Sequence, residues 1–413
     1  MPRQKEQSRQ SQRQCGDVRL RGFSDRASLA DAVAWLDLQA RRGLTMEEVS
    51  VAAAQGRVLA EPLNAPADLP AIECAAVDGY ALRSSETEGA SDYNPLLFTL
   101  AESPDAPSHA LPLAGAIMIS AGSPLPAGAD AVVPFDATQS KGRVLEIFAA
   151  VATGAGMERR GQHVRAGATL IEARRILRAQ DVGLLASAGM DRVPVLRLPR
   201  VRLIVAGPKT FMDRPSAGDA AGPMLAELIA RDGGLAEPAH PAESHRDALA
   251  QAIAAPGADV ILVAGRTGTG ADDEAPRALA QVGELAIHGI ALRPGGSAGM
   301  GLSGVIPVIL LPGDPLACLC AYELLAGRLI RSLAGRSPEL PHPVQIAKVG
   351  RKIVSAIGFV DLCLVRLVDG LVEPVASVEC GGLASAVRAD GFLVIPAPLE
   401  GYAPGTEVKV HRY

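Results

Sequence analysis

The alternation of apolar runs and helical patterns between Arg200 and Gly335 constrains this chain most. Val201–Ala206, Asp259–Ala264 and Val305–Leu311 are short apolar runs, each closed by glycine or by a Gly/Pro pair. Helical spacing fills the intervals at Ala221–Arg231, Ser244–Ala254 and Asp273–Val282, and a last helix runs to Leu333. Leu285–Ile290 adds a further strand leading into Arg293-Pro-Gly-Gly. Runs that are apolar at every position suit strands buried on both faces, and helices between them supply the crossovers of a parallel sheet. The segment is therefore expected to be a doubly wound α/β domain, with ligands bound beyond the carboxyl ends of its strands.

The flanks differ. Ser28 is an expected N-cap for a helical pattern (Leu29, Val33, Leu36) that continues through Val51–Leu59, and Ala179–Ala188 reads as a helix ended by Gly189. Between them, short strands such as Ala116–Ser120 and Ala131–Phe135 sit among Pro and Gly. Beyond Ser337–Pro343 the strands Ala347–Val354, Asp361–Val368 and Gly391–Ile395 suggest a small separate β-domain. The expected organisation is a disordered tail (1–20), an elongated N-terminal domain (21–65 and 153–198), an inserted β-domain (66–152), the α/β domain (199–336) and a C-terminal β-domain (337–413).

Composition excludes several function classes. Net charge is −5 and aromatics are 3%, so neither a basic field nor stacking platforms exist for nucleic acid. The six cysteines form no Cys-x-x-Cys pair, and no zinc signature is present. Cys318 and Cys320 fall in an apolar helical pattern and read as buried thiols. Met1–Gln14 lacks the apolar core of a signal peptide, and no apolar run approaches the roughly 20 residues that span a bilayer, so a soluble cytoplasmic protein is expected.

Gly265-Arg-Thr-Gly-Thr-Gly270 follows a strand and precedes a helix, where backbone amides can cradle an anion and Arg266 can add a charge-assisted grip. It lacks the Gly-Lys-Ser/Thr ending of a triphosphate-hydrolysing loop. Gly299-Met-Gly-Leu-Ser-Gly304 matches a dinucleotide fingerprint but precedes its strand, so it reads as a hairpin turn and a nicotinamide dehydrogenase is disfavoured. Leu311-Pro-Gly-Asp-Pro315 places Asp314 as a helix cap or as part of a rigid turn lining a cleft. Asp78, in Ala76-Val-Asp-Gly-Tyr-Ala81, is either a hairpin residue or a cleft carboxylate.

In this order the loops resemble those of the molybdopterin molybdenumtransferase family (MoeA and the gephyrin E-domain), from about Arg21 to Tyr413. Ala76–Ala81 is similar to that family's Met-Asp-Gly-Tyr-Ala element, and Gly122–Val133 to its Gly-x-Pro-x-Pro-x-Gly-Ala-Asp-Ala-Val-Val stretch. Gly183–Gly189 and Leu311–Pro315 also have counterparts. The resemblance implies a homodimer whose cleft lies between the α/β domain of one subunit and the insertion of the other. It also implies binding of molybdopterin in its adenylylated form, insertion of molybdate with release of AMP, help from Mg²⁺, and contact with an upstream adenylyltransferase or a molybdoenzyme. Carried onto this chain, Asp78 and Asp273 become the catalytic acids. The ligand-binding set becomes Gly207, Gly265, Arg266, Thr267, Gly268, Arg293, Pro294, Gly295, Pro312, Gly313 and Asp314, with no metal ligand assigned.

The chain departs from the family where acids are expected. Gly161-Gln162-His163 stands for Gly-Glu-Asp, Ala206-Gly-Pro-Lys-Thr210 for Thr-Gly-Asp-Glu-Leu, and Ala271 replaces an acid in the glycine-rich loop. Arg293-Pro-Gly-Gly-Ser297 keeps one cation of Lys-Pro-Gly-Lys-Pro, while Lys209 and Arg266 add positive charge. Mg²⁺ is held through carboxylates, so two readings stand: a transferase, or a non-catalytic paralogue that carries, chaperones or regulates the cofactor.

Overall fold

The computed structural model describes residues 17–43, 45–101, 111–207, 219–237, 245–375 and 382–413. The tail up to residue 16, Cys15, Lys209 and Cys380 lie outside the described residues. The chain divides into two compact units: residues up to Glu47, Gly56–Val58 and Val195–Tyr413 form one, and Glu48–Gln55 with Leu59–Pro194 form the other.

The first unit is built on a sheet of six strands among the described residues: β1 (Arg200–Val205), β2 (Leu235–Glu237), β3 (Val260–Ala264), β4 (Glu284–His288), β5 (Gly299–Ser303) and β6 (Ile306–Leu311), in the order β2-β1-β3-β6-β5-β4. The first four in that order are parallel, and β5 and β4 add an antiparallel edge. Side chains alternate across it. Val260, Leu262, Ala264, Ile309 and Leu311 enter one core, with Leu225 and Ile229 of α2 (Ala221–Arg231) and Leu36 of α1 (Leu29–Ala40). Ile261, Val263, Val308 and Leu310 enter the other, with Leu249 and Ile253 of α3 (Arg246–Ala254) and Ala278 and Leu279 of α4 (Ala275–Val282). Both faces of the central strands are covered, as the doubly wound expectation required.

Three expectations differ from the observed structure. Ser28 does cap α1, accepting from the Asp31 amide at 3.0 Å, but the helix ends at Ala40 and Met46–Ser50 is a strand. Gly299–Ser303 is not a turn but the strand β5, where a side chain on Gly301 would collide with the Glu284 carbonyl of β4. Glycine there reports close backbone approach across the ladder, which the fingerprint spacing hides. Finally, Arg19 and Leu20, expected in the tail, are hydrogen-bonded to the glycine-rich turn at Ala271 and Thr269.

After β6, α5 (Pro315–Ala321) runs through a π-helical stretch, Tyr322–Ala326, into α6 (Gly327–Leu333). Cys318 and Cys320 are fully buried on α5, and burial pushes the Cys318 thiol up to about 12, so neither is a reactive thiolate. The C-terminal strands, Val344–Val349, Val360–Val368, Leu371–Pro374, Gly391–Ile395 and Glu407–Arg412, form a second sheet that Leu292–Arg293 joins in parallel with Val360–Val368.

The second unit carries a sheet of Ala131–Pro134, Gly79–Leu82, Gly115–Ile119, Leu96–Leu100, Val144–Ile147 and Thr138–Lys141, in that order. Its core is Leu82, Phe98, Ala116, Val133, Leu145 and Ile147. Leu63–Asn64 pairs with Thr169–Ile171, so chain segments on either side of that sheet come together.

Candidate functional site

Three neighbouring parallel strands deliver the candidate site. Val205 pairs with Ala264 and Ala264 with Leu311, so the turns beginning at Ala206, Gly265 and Pro312 leave the sheet side by side. Gly265 is their hub. Its amide donates to the Leu311 carbonyl at 2.9 Å, its φ is +97°, and a side chain on it would strike the Ala206 carbonyl. A Cβ on Gly313 would stand 3.3 Å from the Gly265 Cα. The turns meet because these two positions carry no side chain. Gly207 follows Ala206, whose amide donates to the Ala264 carbonyl at 2.8 Å.

Arg266 comes next with φ +58°, a conformation that costs a non-glycine residue on the order of 1 kcal/mol. Its Nη1 lies 3.4 Å from the Asp272 carbonyl oxygen and 3.5 Å from the Asp272 carboxylate. Its Nε is buried with no acceptor among the described residues. Thr267 is buried, with its hydroxyl 3.3 Å from the Ser297 hydroxyl and 3.4 Å from the Leu311 carbonyl. The Thr267 carbonyl accepts from His288 Nε2 at 2.9 Å, so that nitrogen carries the proton. Burial holds the His288 pKa below its usual range against the raising effect of this bond, and the ring is neutral at pH 7.

Asp273 closes the loop. Its carboxylate accepts from the Gly270 amide at 2.7 Å and lies 2.7 Å and 3.1 Å from where side chains on Gly268 and Gly270 would begin. The glycine spacing admits this carboxylate. The residue expected as a catalytic acid is thus engaged with the loop's own backbone.

Arg293 donates through Nε and Nη2 to the fully buried Asp361 at 2.8 Å and 2.6 Å, and Ser355 donates to the same carboxylate at 2.8 Å. Pro294 and Gly295 follow in the turn towards β5, where a Cβ on Gly295 would be 3.0 Å from Leu292. Asp314 caps α5 by accepting from the Ala317 amide at 2.9 Å, with Pro315 at the first helical position and Pro312 and Gly313 leading in. The strand-end and Arg293–Ser297 turns are thereby brought together through Gly265, Gly313, Thr267 and Ser297. Asp78 belongs to the second unit, where its carboxylate accepts from the Ala121 amide at 2.8 Å. In that unit Glu158 stands opposite Cys74, and His163 Nε2 lies 3.2 Å from the Glu158 carboxylate. His288 and Ser297 were missed from sequence, because a lone histidine or serine carries no pattern.

An open α/β sheet whose carboxyl edge gathers glycine turns and an arginine belongs to the class of folds that take ligands at strand ends. Residues 27–189 match the model for the MoeA N-terminal region (domain I and II), 204–332 that for a probable molybdopterin binding domain, and 347–413 that for the MoeA C-terminal region (domain IV). Molybdopterin molybdenumtransferase 2 of Mycobacterium tuberculosis is 30% identical over 384 residues, covering 88% of this chain and 94% of that protein. The molybdopterin molybdenumtransferase of Nostoc is 27% identical over 386 residues, 88% of each chain. The crystal structure of the molybdopterin biosynthesis MoeA protein from Pyrococcus horikoshii superposes with a TM-score of 0.74 at 27% identity, covering 94% of this chain and 99% of that one. The chain belongs to the molybdopterin molybdenumtransferase (MoeA) family. No helix among the described residues is long and apolar enough to cross a membrane.

Proposed function

We propose that this protein acts in molybdenum-cofactor biosynthesis, binding adenylylated molybdopterin and inserting molybdate into its dithiolene with release of AMP. The observation that carries the reading is the meeting of the strand-end turns at Gly265 and Gly313, with Arg266 beside them, inside residues 204–332 that match a probable molybdopterin binding domain. Backbone donors and a guanidinium at such turns suit a phosphate-bearing ligand, and family membership names the ligand class.

In this reading the turns at Gly207, Gly265–Gly268 and Pro312–Gly313 hold the phosphates through backbone donors. Arg266 supplies the charge that the splitting of the phosphoanhydride by water needs, since negative charge gathers on the departing AMP. Asp78 is the candidate carboxylate for the water, and the working form is a homodimer. The donors present do not fit a protein-held Mg²⁺: no three His, Cys, Asp or Glu side chains group as a metal site among the described residues, and Asp273 is engaged with Gly270. No step is routed through the cation.

The test is anaerobic incubation of the purified chain with adenylylated molybdopterin and molybdate. AMP release with formation of active cofactor, lost in Asp78→Asn, is the expected result. Tight binding without AMP release overturns the transferase reading, and an unchanged rate in the variant removes Asp78 from the reaction.

A further inference from the structure

Residues 18–27 end where the family match begins, and they run along both ligand turns of the first unit. The Leu20 amide donates to the Thr269 carbonyl at 2.8 Å, and Arg19 Nη1 donates to the Ala271 carbonyl at 3.1 Å while pairing with the Glu274 carboxylate. Phe23 meets His288 edge-on at 5.0 Å, and His288 in turn holds the Thr267 carbonyl. The Ala27 amide donates to the Gly289 carbonyl at 3.0 Å, and the Ala291 amide returns a bond to Ala27 at 2.8 Å. Arg26 Nη1 donates to the Gly296 carbonyl at 2.5 Å, and its guanidinium lies 4.5 Å from the Phe23 ring and 5.8 Å from that of Phe359, which Arg293 approaches at 5.4 Å.

We infer that Val18–Ala27 is a positioning strap for the substrate-binding turns, with Arg19 setting the Gly265–Asp273 turn and Arg26 the Arg293–Ser297 turn. Two properties of the glycine-rich turn call for such support. Arg266 is held at φ +58°, a state that persists only where neighbours over-determine it. The turn's described internal ties join Gly270 with Asp273, Asp272 with Arg266 and the Glu274 amide, and the Ala275 amide with the Arg266 carbonyl at 3.0 Å, and none of them reaches the Thr269 or Ala271 carbonyl. The strap supplies partners to Thr269 and Ala271, the stretch between those ties. It reaches the second turn through Gly296, where a side chain would begin 2.5 Å from the Arg26 guanidinium. One short segment therefore sets both turns at once. Neither arginine is placed on the ligand; each acts through a main-chain carbonyl, of Ala271 or Gly296, in the same turn as the proposed ligand-binding residues.

The affinity part of this inference rests on the proposed ligand, so the test has two arms on the full chain. The first is hydrogen exchange without ligand, read at amides 266–273 in Arg19→Gln and at amides 295–297 in Arg26→Gln, each against wild type, with α2 as the internal reference. The second is calorimetric titration with molybdopterin. Loss of one such anchor is expected to speed exchange in the turn it holds by about tenfold and to weaken binding by about tenfold, leaving α2 unchanged. Arg19→Lys, which keeps a cationic donor within reach of the Ala271 carbonyl and Glu274, is expected to recover most of the loss, which a general destabilisation would not allow. Unchanged exchange overturns the strap, and faster exchange with unchanged affinity overturns its positioning role. A wild-type chain that binds no molybdopterin overturns the functional reading, and the exchange arm then decides the strap alone.

Discussion

The carboxylate of Asp273 stands 2.7 Å from the point where a side chain on Gly268 would start, while accepting the Gly270 amide at 2.7 Å. The two positions are coupled, so the turn keeps its shape only while one is an acid and the other has no Cβ. Gly268→Ala is expected to displace the carboxylate and cost about 1–2 kcal/mol of molybdopterin affinity through the lost hydrogen bond. Isothermal titration checks this, and an alanine variant with wild-type affinity would uncouple the pair.

Arg266→Ala is expected to weaken ligand binding by about 1.5–3 kcal/mol, the range for a hydrogen bond to a charged group. The ion pair of Arg266 is with the exposed Asp272 carboxylate at 3.5 Å, and exposed pairs contribute little, so little folding stability should be lost. Titration and thermal melting together separate the two effects.

Arg293→Ala should act mainly on stability. It would leave the buried Asp361 carboxylate with only the Ser355 hydroxyl among the bonds described above, and breaking a buried pair costs about 3–5 kcal/mol. Urea unfolding measures it. A variant of wild-type stability with lost affinity would instead assign Arg293 to the ligand.

His288 gives a pH signature. Its pKa in the fold is lowered, chiefly by burial, so below about pH 6.5 the unfolded chain takes up a proton that the native chain refuses. Stability is therefore full above that pH and declines as pH falls towards the lowered value. Urea midpoints from pH 8 to 5 should show this decline in wild type, and a smaller one in His288→Gln.

The sheet was legible because its central strands are buried on both faces, which leaves continuous apolar runs such as Val260–Ala264 that no surface helix would carry. β5 was not legible, since Gly299 and Gly301 are dictated by carbonyls of β4 that approach from an antiparallel neighbour. The Asp314 cap was readable from Asp-Pro after a strand, because a cap is a local bond. The partner of Arg293 was not, because Asp361 lies 68 residues away on a strand of the second sheet. The turn at Gly265 could be found from its glycines, but the purpose of Gly268 and Gly270 appears only with the Asp273 carboxylate beside them.

The bond from Arg19 to Ala271 spans 252 residues. At synthesis rates of about 5–20 residues per second, roughly 13–50 s separate the emergence of its two ends from the ribosome. The strap must therefore stay unattached while α1 and the whole second unit are being made, and it can engage only when β3 and its turn arrive. A bulky fusion placed just ahead of Asp17 would be expected to leave the sheet intact and to disturb the pocket.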